Sequence, residues 1–82
     1  MAGNYDTVQV LIERGAHINA EDKEGQTPLH IAAERGYVDI TKLLVENEAN
    51  VNAINKDGLT PLDLAIKEGH NQVIELLKKR MN

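Results

Sequence analysis

The sequence predicts an all-α fold, a solenoid of stacked helix-turn-helix units joined by hairpin-like loops. Three observations predict it. The first is a repeat with a step of 33 residues: Gly25-Gln26-Thr27-Pro28-Leu29-His30-Ile31-Ala32 returns as Gly58-Leu59-Thr60-Pro61-Leu62-Asp63-Leu64-Ala65. The same step carries Gly3 to Gly36 to Gly69, and Leu11 to Leu44 to Leu77. A fixed period of about 20–50 residues marks stacked units rather than a globule around one central core. The second is punctuation: each full copy opens on Thr-Pro, a helix start, and its first apolar stretch ends at Gly, a helix stop. The third is length. Isolated helices under about 12–15 residues are marginal in water, so these short segments must stack on copies of themselves.

The elements follow in chain order. Residues 3–15 align with 36–48 and read as a second helix whose own first helix does not precede it. Val8, Leu11 and Ile12 are then expected to lack part of their cover. In the middle unit Thr27 caps a helix, Pro28 takes its first position, and Leu29, Ala32 and Ala33 supply small buried surfaces. Gly36 stops it. A second helix is expected over about 38–47, with Ile40, Leu43, Leu44 and Val45 at helical spacing. The stretch 49–58 is rich in Asn, Asp and Gly and ends on Asp57-Gly58, a strong turn pair. In the third unit, Thr60 with Asp63 three residues on predicts a capping box. Its second helix is expected over about 71–80, with Val73, Ile74, Leu76 and Leu77 inward. Lys78 stands where Val45 and Ile12 stand earlier, as expected of an end unit facing water. The chain reads as one domain, 1–82, divided into a half repeat (1–20), a full repeat (21–53) and a C-terminal repeat (54–82).

Composition narrows the function. The chain has 82 residues, no Trp, no Phe and a formal charge of −4. An acidic chain repels phosphate backbones, which argues against nucleic acid as a partner. Without Cys there are no disulfides and no thiolate metal sites. No run of 18 apolar residues and no basic-then-apolar start is present, so a soluble, cytoplasmic protein is expected, with no membrane partner.

These residues resemble the ankyrin repeat. The family pattern runs roughly Asp-x-x-Gly-x-Thr-Pro-Leu-His-x-Ala-Ala-x-x-Gly, then a Leu-rich helix, then Gly-Ala-Asp-Val-Asn-Ala. Residues 22–36 match nearly every fixed position, and Gly15-Ala16-His17-Ile18-Asn19-Ala20 and Ala49-Asn50-Val51-Asn52-Ala53 match the loop. The resemblance covers essentially the whole chain. It departs at Glu48, where the family has a left-handed Gly, at Asp63 in place of the family His, and at Ile66 in place of the second Ala. It implies that His30 bonds to its own Thr and to backbone of the next repeat.

No catalytic set emerges. There is no nucleophile elbow, no phosphate-binding Gly loop, and His17, His30 and His70 lack ligand spacing. Neither enzyme activity, cofactor nor metal is expected. The Lys78-Lys79-Arg80 cluster reads as a solvated helix end favoured by the helix dipole.

The resemblance instead implies a protein–protein interaction scaffold that binds through loop tips and the concave side of the first helices. Its open positions fall on Glu21, Lys23, Glu24, Gln26, Glu34 and Arg35 in the middle unit. In the third they fall on Ile54, Lys56, Asp57, Leu59, Lys67 and Glu68. Ile54 and Leu59, apolar on either side of one finger, form a candidate sticky patch. The incomplete first unit also fits a designed or excised minimal array without a native partner. Such an array would associate with a second copy through the uncovered N-terminal half repeat.

Overall fold

The computed structural model describes residues 18–80. Among these are four helices: α1 (Pro28–Arg35), α2 (Val38–Glu46), α3 (Pro61–Glu68) and α4 (Asn71–Arg80). Each unit is an antiparallel pair, α1 with α2 and α3 with α4. First helix packs on first (α1 on α3) and second on second (α2 on α4). Of the expected half repeat (1–20), residues 1–17, with Val8, Leu11, Ile12, Gly15 and His17, lie outside the described residues.

The helix starts follow from local chemistry. The extended Thr27 accepts the His30 N–H on its hydroxyl, while Thr60 accepts that of Asp63 at 3.1 Å. Asp63 returns the bond, its Oδ2 taking the Thr60 N–H at 2.9 Å, so the expected capping box forms. The stops follow equally. After α1, Tyr37 N–H reaches Ala32 O at 2.9 Å and Gly36 N–H reaches Ala33 O at 3.3 Å. After α3, His70 and Gly69 repeat the pair on Ala65 and Ile66. This crossed ending needs a left-handed residue, and Gly36 and Gly69 supply it at φ 72°. After α2 the same ending forms, Ala49 N–H to Leu44 O and Glu48 N–H to Val45 O, but the left-handed residue is Glu48 at φ 67°. The strain implied by the family departure at this position is thus present. The second helix ends at Glu46, slightly short of the expected boundary, because Asn47 caps it with its side-chain N–H on Leu43 O at 2.8 Å.

The core is aliphatic and runs between the two units. Leu29, Ala32, Ala33, Ile40, Leu44, Val45, Ala65, Val73 and Leu77 are buried in one cluster. Alanines at 32, 33 and 65 allow the first helices to approach closely. Leu43, Ile74 and Leu76, expected inward, are half-buried, and Ile74 and Leu76 pack against the margin of this core. Thr41 is fully buried within it, its hydroxyl donating to Tyr37 O at 2.7 Å, so the polar atom carries no unpaired cost.

Candidate interaction surface

Two fingers project ahead of α1 and α3. In the first, Asp22 N–H donates to Gln26 O and Gly25 N–H to Asp22 O, both at 3.0 Å, while Asp22 Oδ1 accepts the Glu24 and Gln26 N–H groups. The second finger repeats this with Asn55 in place of Asp22. Its Oδ1 accepts the N–H groups of Asp57 and Leu59 at 2.9 and 3.0 Å. Each finger turns at a glycine with positive φ, Gly25 at 74° and Gly58 at 75°. A side-chain carbonyl that gathers two backbone donors fixes the tip without any core beneath it.

The fingers are joined to each other. Lys56 N–H donates to Glu24 O at 2.9 Å, and Asn55 Nδ2 donates to Gln26 Oε1 at 2.9 Å. Asn55 therefore does two jobs: its oxygen closes its own finger and its nitrogen ties that finger to the one before. An Asp could do only the first. Sequence reasoning passed over Asn55, although the 33-residue step places it on Asp22 and so marks it as the finger's closing residue.

Behind the fingers, His30 is a fully buried spacer. Its Nδ1 accepts the Thr27 N–H at 3.1 Å, so Nε2 carries the hydrogen and donates to Leu59 O at 2.8 Å. This is the arrangement expected from the family resemblance. His70 bridges the far end of the first helices, its Nε2–H on Glu34 O at 2.9 Å. Its ring covers Gly36, where a Cβ would stand 2.6 Å from the ring.

The expected contact residues fall as follows. Glu21, Lys23 and Glu24 are exposed on the first finger, and Lys56 and Asp57 on the second. Gln26 is half-buried and engaged with Asn55. Arg35, Lys67 and Glu68 are exposed at the ends of α1 and α3, with Glu34 half-buried among them. The bonds bring Glu24 and Lys56 together, whereas the residues at the far ends of the helices form a separate group. Of the apolar pair, Ile54 is 60% exposed, while Leu59 is half-buried with its backbone held by Asn55 and His30.

Among the described residues, no three His, Cys, Asp or Glu side chains gather as metal ligands. No described helix is long and apolar enough to cross a membrane.

A family model for ankyrin repeats, in three copies, matches residues 1–82. Human protein phosphatase 1 regulatory subunit 27 is 48% identical over 40 residues, which is 49% of this chain and 26% of that protein. Human Rabankyrin-5 is 57% identical over 30 residues, 37% of this chain and 3% of its own length. Mouse 60 kDa lysophospholipase is 46% identical over 39 residues, 48% of this chain but 7% of that protein. The similarity thus spans a small part of each relative.

Proposed function

We propose that this chain, which belongs to the ankyrin-repeat family, is a non-catalytic scaffold that binds another protein through its finger tips and the concave face of α1 and α3. Ankyrin repeats generally mediate protein–protein interaction and are typically non-catalytic. The lysophospholipase is similar to this chain over too little of its length to carry a hydrolase reaction across.

The observation that carries the reading is the pair of bonds between the fingers. They hold Lys23 and Glu24 in fixed relation to Ile54, Lys56 and Asp57, all exposed side chains with no part in the core. A surface ordered before the partner arrives loses little entropy on binding. The mixed charges fit a polar partner surface, and Ile54 supplies an apolar anchor beside them. Glu21, Gln26, Glu34, Arg35, Leu59, Lys67 and Glu68 complete the proposed contact face.

Site-specific photocrosslinking tests this in extracts. A photoreactive residue at Lys23 or Lys56 is expected to trap a discrete partner, and Ile54→Ser is expected to weaken that capture. The same probe at Lys79, on α4 away from the fingers, serves as the comparison. Equal capture from Lys79 and Lys23, or none from either finger, would reject the concave face as the binding surface.

A further inference from the structure

A cleft of about 330 Å³ lies between the second helices of the two units. Lys42, Val45 and Glu46 line it from α2, and Leu76, Lys79 and Arg80 from α4. Its floor is aliphatic, with Val45 buried and Leu76 half-buried. Its rim is charged, with Lys42, Glu46, Lys79 and Arg80 all exposed. None of the finger residues lines it.

The floor is what stacking requires, and the rim is not. The 33-residue step sets Leu76 on Leu43, apolar in both units. It sets Lys79 on Glu46, Arg80 on Asn47 and Glu75 on Lys42. The cations are thus particular to this cleft. A helix C-terminus favours Lys79 and Arg80. That cause does not reach Lys42, which stands in the middle of α2. Three cations therefore converge from two helices, against the single carboxylate of Glu46 among the lining residues, in a chain of net charge −4. Glu46, and Glu75 one turn before Lys79, can pair with them, but exposed pairs are weak and exchange for carboxylates of another molecule.

We propose that this cleft binds an acidic peptide segment of another protein, one with carboxylates on either side of an aliphatic side chain. The aliphatic group lies against Leu76 and Val45. The carboxylates meet Lys42, Lys79 and Arg80, whose guanidinium suits them in bidentate fashion. Both halves of the lining set this chemistry. A nucleic-acid backbone or an anionic membrane would use the cations and leave the aliphatic floor idle. As an extended polyanion it would also be repelled by the rest of this acidic chain. The occupant is distinct from the partner of the fingers. The two are captured from different positions, one from Lys23 and Lys56 and the other from Lys79.

Nuclear magnetic resonance of the full, isotope-labelled chain tests this, with the blocked peptide Glu-Leu-Glu-Glu-Leu-Glu as the probe. Saturable shifts are expected at the amides of Lys42, Leu76, Lys79 and Arg80, with Glu24 and Lys56 unmoved, and binding is expected to weaken as salt is added. Lys42→Glu together with Lys79→Glu is expected to raise the peptide Kd by at least about tenfold, circular dichroism confirming the fold. If that reversal unfolds the chain, Gln at both positions takes its place. The same peptide with Ser for Leu is expected to bind about tenfold more weakly. No saturable shift, shifts centred on the fingers, or a Kd indifferent to the double substitution overturns the proposal. So does equal binding of the Ser peptide, or equal shifts from inorganic phosphate or phosphatidylserine vesicles, which would make the cleft a plain anion site.

Discussion

The middle and C-terminal units start and end their first helices alike and meet their surroundings differently. Thr27 and Thr60 adopt nearly the same backbone angles, and Gly36 and Gly69 share φ 72° and ψ 29°. Yet position three of the first helix is a buried His30 in one unit and an exposed Asp63 in the other. Both close the same capping box. Only His30 has a second ring nitrogen left to reach the next unit. Capping is thus a local property that two residue types satisfy, while coupling between units needs a side chain with hydrogen-bonding groups at both ends.

The largest expected effect breaks that pair apart. His30→Ala removes the returning bond of its capping box and the bond to Leu59 O, leaves the buried Thr27 N–H without its partner and empties a fully buried side-chain site, at a cost of about 2–4 kcal/mol. Asp63→Ala removes the returning bond alone, the Thr60 hydroxyl still holding the backbone N–H at 63, and is expected to cost about 1 kcal/mol. Urea denaturation of the two variants checks the difference; equal losses would mean that His30 acts only as a cap.

A smaller effect separates the two glycines. Gly36→Ala meets both a left-handed φ and the His70 ring, which is held in place by Glu34 O. About 2 kcal/mol of destabilisation is expected there, against about 1 kcal/mol for Gly69→Ala, where only the φ resists. Thermal melts that rank the two the other way would remove the ring contact from the account.

The smallest is a gain. Glu48 holds the left-handed position that glycine holds at the other two described helix ends, so Glu48→Gly is expected to stabilise the protein by up to about 1 kcal/mol. A denaturation midpoint equal to or below that of the parent would show that Glu48 is compensated elsewhere.

Much of this was legible in the residues. Thr27, Pro28, Gly36, Thr60, Pro61 and Gly69 place helix ends by local sterics and hydrogen bonds, so the pattern alone located them. The candidate surface was legible as positions: the structure brings Glu24 and Lys56 together on neighbouring fingers. What stayed hidden depends on groups far apart in the chain. His70 reaches Glu34, and Asn55 reaches Gln26, across the gap between units. Thr41 reads as a polar residue on an apolar helix. Its burial becomes evident only once α2 packs and Tyr37 O accepts its hydroxyl. Leu59 lost part of its exposure in the same way, since the bonds that pin its backbone come partly from the preceding unit.

The bond between Lys56 and Glu24 joins main-chain atoms. It is therefore indifferent to which side chains occupy 23, 24, 56 and 57. Those positions can be rewritten, in any charge or size the solvent tolerates, while the spacing between the two tips stays the same. Gln26 and Asn55 do not share that licence, because their own amides form the second tie. In the proposed scaffold, recognition and architecture are thus written in different alphabets on the same loops, and a change of target need not carry a change of scaffold.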